Sequence, residues 1–252
     1  MSLLRPFALG AILVVSTGAA AVGPACTATS GRDVHPLVEL YTSEGCDSCP
    51  PADRWLTTAF PVGETGASVL AFHVDYWDRL GWKDRFASAD YTARQYASMR
   101  ARGATFVYTP QVLVQGRDVE AAKRTSAVAS ARTQPARATI TLEAEGVGGR
   151  VVMNARVSAR ASPRKAVAWV AFTEGGLVSS VAAGENRGAT LRHDHVVRML
   201  YGPFPIGESG SATAEFTVAL PRERGRDPAL VAFVEDRATG EVLQSLTLRC
   251  GP

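Results

Sequence analysis

The sequence predicts two domains in series: an α/β domain over residues 34–134, then an all-β, sandwich-like domain over residues 135–252. Three observations predict this. Up to about residue 135, short apolar runs alternate with helix-like segments, the grammar of a layer with parallel strands. After "TQPAR" the chain turns to β-branched, largely alternating runs bounded by Gly, Pro and Asp, with no helical pattern. And 252 residues, 46% of them hydrophobic, suffice for one large domain or two of ordinary size, either of which buries a core.

Residues 1–25 read as a signal peptide. "MSLLRPFALGAILVVSTGAAAVGPAC" has Arg5 as its only early charge, then an apolar stretch from Phe7 to Val15, then small residues. That is the order of n-region, h-region and cleavage site. The stretch is too short to span a bilayer and no later segment approaches about 18 apolar residues, so no membrane span is expected. The mature chain is therefore expected to be periplasmic or secreted, where disulfides persist. Cys26, ending "VGPAC", has two readings. It is a lipid-anchored N-terminal cysteine, or it pairs with Cys250, because four cysteines are even and a close pair takes the other two.

In the first half, "PLVELYT" (36–42) reads as a strand and "PPADRWLTTAF" (50–60) as a helix with Trp55, Leu56, Ala59 and Phe60 on one face. "SVLAFHVD" (68–75) is near-continuously apolar, which suits a parallel strand covered on both sides. A helix over 88–103 has Ser88 as N-cap and Gly103 as stop; a strand (111–116) and a helix (118–132) follow. In the second half, "ATITLEAEG", "GRVVMNARVSA", "KAVAWVAFTEGG", "SATAEFTVALP" and "PALVAFVEDRATGEVLQSLTLRC" are the strand-like runs.

The chemistry concentrates at "YTSEGCDSCPPADRW" (41–55), where Cys46 and Cys49 stand between a strand end and two prolines. Proline is tolerated in a first helical turn, so a helix starts at Pro50 or just before it. Cys46 is expected at the helix N-cap, facing free N–H groups and the positive end of the dipole, where a thiol loses its proton readily. Cys49, one turn in, suits resolution of a mixed disulfide. Glu44 and Asp47 oppose thiolate formation, so a mild couple is expected. Strand, CxxC, helix is a redox pattern.

On "VELYTSEGCDSCPPADRWL" and "TPQVLVQG" the chain resembles the thioredoxin-like superfamily. It is similar in particular to a group of secreted bacterial proteins of unassigned function, with motifs that stand here as "TSEGCDSCPPAD", "HVDYWDRLGWKDRF", "VYTPQVLVQG" and "GENRGATLRHDHVVR". The resemblance covers nearly the whole mature chain. It implies a thioredoxin-like α/β domain fused to the all-β sandwich-like one, and a cis-proline at Pro110 opposite the CxxC, with the Thr109 backbone free to pair with an extended substrate. At the strand end, Tyr76 and Trp77 are candidate walls of a peptide site and Asp75 a candidate proton carrier; core packing is the other reading of the aromatics, including Trp82, and of His73.

The expected function is thus an exported thiol–disulfide oxidoreductase or disulfide carrier, with Cys46 attacking or attacked and Cys49 resolving. Its partners are protein thiols or disulfides, with a dedicated redox protein among them, and it needs no cofactor. One alternative is a binding module that keeps the fold without turnover. The other is a copper or zinc protein, since "RHDHVV" sets His193 and His195 on one side of a strand; yet a structural zinc site usually takes two close ligand pairs, so no metal is assigned. His193 and His195 are then expected to serve packing, and Asn186 and Arg187 a turn. The net charge of +3, with no basic run interleaved with aromatics, leaves nucleic acid without an electrostatic footprint.

Overall fold

The structure, a computed structural model, describes residues 26–64, 66–147, 152–161 and 165–250. The expected signal peptide, residues 1–25, lies outside the described residues. Among those described, no helix is long and apolar enough to cross a membrane.

The chain runs β1 (Cys26–Thr29), β2 (Leu37–Thr42), α1 (Pro50–Ala59), β3 (Ser68–His73), α2 (Ala89–Ala101), β4 (Gln111–Val114), β5 (Arg117–Asp118) and α3 (Arg124–Arg132). It continues through β6 (Ala138–Val147), β7 (Val152–Ala161), β8 (Ala166–Gly175), β9 (Leu177–Ser180), β10 (Thr190–His193) and β11 (Val196–Pro205), then β12 (Ser211–Ala219), β13 (Arg226–Asp236) and β14 (Glu241–Leu248). The local signals act as their chemistry requires. Ser88 caps α2 by accepting from Asp90 N at 3.2 Å, and Pro50 and Pro51 open α1.

The long-range architecture corrects the expected class. The chain is not a thioredoxin-like α/β domain followed by a separate all-β sandwich-like domain. It is mostly strand, and one eight-stranded mixed sheet runs through both halves in the order β14-β13-β8-β11-β3-β2-β4-β5. β2 and β3 are parallel, and β11 joins β3 in parallel through Val196 opposite Ala71, with Ala71 N donating to His195 O at 2.8 Å. The physical reason is the edge of β3. An apolar strand buried along its whole length cannot leave that edge open, and β11 closes it. The second sheet, β1-β6-β7-β12, takes its first strand from ahead of the α/β segment, so the layers interleave the two halves of the sequence.

Alternation then divides the core. On one face of the large sheet Leu37, Tyr41, Phe72, Val197, Val231 and Phe233 form one cluster that crosses the junction, joined by Tyr91 of α2. On the other face α1 and α3 cover Val38, Leu40 and Val112, while the four-stranded sheet covers Val170, Phe172 and Leu230 with Ile140 and Leu142. The two ends of the large sheet also meet. The Gln115 amide donates to Val242 O at 2.9 Å, and Gly116, at φ +74°, lies so close to Gly240 O that a Cβ would collide with it. Cys26 and Cys250 form a disulfide, Cα atoms 5.7 Å apart, that ties β1 to the residue two past β14.

A candidate redox site closed by the C-terminal half

The site lies where β2 and β3 both end. Cys46 and Cys49 form a disulfide, Cα atoms 5.4 Å apart. Cys49, not Cys46, is the N-cap of α1, and Cys46 sits in the preceding turn, with Cys49 N donating to Cys46 O at 3.2 Å. The expected ring of free N–H groups is also absent. Pro50 and Pro51 have none, and Ala52 N and Asp53 N both donate to Cys49 O. The helix dipole remains, but no backbone donor of the first turn is left for a Cys46 thiolate. Ser48 Oγ lies 3.4 Å from Cys46 Sγ.

Of the expected neighbours, Trp77 lies against the CxxC turn and holds Thr109. Trp77 packs its Cβ within 3.1 Å of where a Gly45 side chain would begin, and its indole donates to Thr109 Oγ1 at 2.8 Å. The Thr109–Pro110 bond is cis. Tyr76 donates to Gln95 Oε1 at 3.3 Å, and burial pushes its hydroxyl up to about 12. Asp75 is employed elsewhere, accepting from Thr92 Oγ1 of α2 at 2.6 Å. Phe106 and Tyr108 stand exposed just ahead of Pro110.

Behind the disulfide is an ionisable cluster that residue-by-residue reading misses. Glu44, His73, Asp84 and His193 are all buried. Glu44 turns inward: its carboxylate accepts from Trp82 Nε1 at 2.7 Å and lies 3.4 Å from His193 Nε2. His73 Nδ1 is 2.6 Å from Asp84 Oδ2, which also accepts from Glu44 N, and the His73 and His193 rings cross with centroids 4.9 Å apart. Burial pushes Glu44 up, but His193, Ser179 and the Trp82 indole around its carboxylate outweigh it and hold the carboxyl below its usual value. Burial likewise opposes a charge on His73, yet Asp84, with Asp53 and Glu44 behind it, holds the imidazole above its ordinary value; the same pairing holds Asp84 below.

The sign of the pH dependence follows. His73 contributes most below its ordinary value of 6.5 and loses that contribution as pH rises through its raised one. Asp84 contributes above its ordinary 3.8 and loses it on acidification. The stability gap between wild type and His73→Asn, from urea melts, is therefore expected to be widest near pH 5 and to narrow towards pH 9. A gap constant over that range would dismiss the charged pair.

His193 and His195 do not act together. The backbone turns between them, with His195 at φ +57°, so His195 reaches Phe60 O at 2.8 Å while His193 faces Glu44. Among the described residues no group of three or more His, Cys, Asp or Glu is arranged to hold a metal ion. Asn186, expected to serve a turn, instead donates to both Glu44 O and Cys46 O, each at 2.9 Å. The one sequence signal for this reach is the polar run "GENRGATLRHDH", too hydrophilic and glycine-rich for a hairpin that only packs.

Residues 37–235 match the family described as "Protein of unknown function (DUF1223)", and the chain belongs to that family. Among solved structures it is similar to a structural-genomics target from Agrobacterium tumefaciens, at 26% identity and TM-score 0.59, over 87% of this chain and 96% of that one. It is also similar in fold to HBP35 of Porphyromonas gingivalis, at 14% identity and TM-score 0.61, over 87% of this chain and 76% of that one. No curated protein matches.

Proposed function

We propose that the protein is an exported thiol–disulfide oxidoreductase or disulfide carrier that works through Cys46 and Cys49. The observation that carries this reading is a disulfide spanning two residues at the start of α1, with Trp77 lying against its turn and donating to Thr109, which precedes Pro110. Locally this resembles the redox centre of the thioredoxin-like superfamily, whatever the surrounding sheet. So short a loop makes a poor staple, because it removes little freedom from the unfolded chain. The second disulfide, Cys26–Cys250, does close a long loop and suits an oxidising periplasmic or extracellular setting.

In the forward step a partner's thiolate attacks Cys46 Sγ. A mixed disulfide forms, the Cys46–Cys49 bond breaks, and Cys49 leaves with the electron pair. Phe106, Tyr108 and the Thr109 backbone offer an apolar surface and an extended edge to a polypeptide partner. The test is Cys49→Ser in the native compartment: its Cys46 thiolate attacks a partner's disulfide, one partner sulfur leaves as a thiolate, and no second thiol remains to resolve the mixed disulfide. It is expected to accumulate covalent adducts that a reductant releases. If Cys49→Ser forms none beyond those seen with Cys46→Ser, the oxidoreductase reading fails.

One observation favours the non-catalytic binding module. Both cysteines are 0% exposed although Asp47 and Ser48 between them are exposed. A working couple needs a way in.

A further inference from the structure

The geometry points to the 181–189 loop as the access gate of this disulfide, with Asn186 the positioning residue that holds it shut. The proposal rests on the oxidoreductase reading for its purpose but not for its test. β9 and β10 pair only with each other and continue the β8–β11 hairpin beyond a bend. The bend is set by positive φ on both strands, +65° at Gly176 and +57° at His195. Its base is anchored on and just past α1, where Thr57 Oγ1 donates to Asp194 Oδ2 at 2.9 Å and His195 meets Phe60 O. Further out, β9 is held by Arg85, which donates to Ser179 Oγ at 3.2 Å and Val178 O at 2.8 Å, and β10 by His193 against Glu44, so the part left to move is the 181–189 tip over the CxxC turn.

The tip is organised internally. Val181 N bonds Ala189 O, Gly188 N bonds Val181 O and Arg187 N bonds Gly184 O, so it moves as a unit. Its grip on the redox turn comes from few groups. Asn186 Nδ2 bridges Glu44 O and Cys46 O, Glu185 Oε2 accepts from Asp47 N at 3.3 Å, and Gly184 lies against Trp82. Trp77 flanks the turn at Gly45. The two carbonyls held by the Asn186 amide are main-chain acceptors that an extended polypeptide's N–H groups would otherwise take. Asn186 satisfies both carbonyls at once through the two N–H bonds of one nitrogen, and a polypeptide must supply a donor to each of them to replace it and open the gate.

The test is reduction of the oxidised mature chain by dithiothreitol, quenched with an alkylating agent and read by mass. One reagent thiolate attacks Cys46 Sγ, and Cys49 leaves and takes up a proton. The second reagent thiol then closes the cyclic disulfide and frees Cys46, so two electrons and two protons pass to the protein. Asn186→Ala is expected to be reduced at Cys46–Cys49 about tenfold faster, the factor that about 1.4 kcal/mol of lost closure gives. A rate within twofold of wild type overturns the gate.

Hydrogen exchange of the unmodified chain guards against a variant that merely unfolds. Residues 181–189 and the amide of Asp47 are expected to open together and more readily than β8 and β11. Protection of the loop equal to that of β8 and β11 also overturns the gate. Exchange with a peptide disulfide separates the two proposals. Faster reduction without any peptide exchange keeps the gate and removes the oxidoreductase; peptide exchange with an unchanged reduction rate does the reverse.

Discussion

Cys46→Ser is expected to bring disulfide exchange down to the uncatalysed rate, while the Cys26–Cys250 bridge and the fold stay intact. A serine hydroxyl holds its proton at any pH the protein meets and forms no mixed disulfide, so the first covalent step is lost outright. In the reduced wild type, alkylation is expected to mark Cys46 before Cys49. Both sulfurs start enclosed, but Cys46 lies in the turn that the 181–189 loop covers, whereas Cys49 is the N-cap of α1. The couple is expected to be mild, for a reason the structure alters. Glu44 does not face the thiol, since its carboxylate is turned inward to Trp82 and His193. What limits the Cys46 thiolate is a first helical turn without a spare donor, since Pro50 and Pro51 have no N–H and those of Ala52 and Asp53 go to Cys49 O. Stopped-flow alkylation across pH measures this directly. Equal and slow labelling of both cysteines would remove the reason to call Cys46 the nucleophile.

How much of this was legible in the sequence depends on how far apart the interacting residues lie. Features set within one turn were readable: Ser88 as a cap, Pro50 opening α1, the apolar run of β3. What failed was pairing at long range. β11 meets β3 through one registered pair, Val196 with Ala71, and no local pattern announces a strand partner over a hundred residues away. The alternating second-half runs fit equally well a closed sandwich or the outer strands of someone else's sheet, and the open edge of β3 decided between them. The site divides the same way. Cys46, Cys49 and Pro110 carry their chemistry in their residue types. Glu44, His73, Asp84 and His193 become a cluster only because β2, β3 and β10 end together, and Asn186 becomes a clamp only because the hairpin bends at Gly176 and His195.

The junction between the halves makes the second large prediction. Arg94, on the inner side of α2, is 5% exposed at its side chain and bonds Glu39 of β2 at 2.8 Å and Glu235 of β13 at 3.1 Å. Its guanidinium stacks over Phe233 at 4.7 Å and Trp169 at 5.2 Å, and the Trp169 indole also donates to Glu235 at 2.8 Å. One cation therefore neutralises a carboxylate from each half of the chain, on the face where the core crosses the junction. Removing it leaves Glu39, 2% exposed at its side chain, as an uncompensated buried charge, and a broken buried pair is worth about 3–5 kcal/mol. Arg94→Ala is expected to lose about that much in urea unfolding. Arg94→Ala with Glu39→Gln is expected to recover part of it, because the stranded charge is gone. Unfolding of the wild type is expected to be a single transition, and variants that keep as sole tryptophan either Trp55 in the first half or Trp169 in the second are expected to report one midpoint by fluorescence. Were the two halves to unfold independently, Arg94→Ala would shift the midpoint in one single-tryptophan background and not in the other. Loss of the network is instead expected to move both together, since α2, β2, β8 and β13 share the same cation.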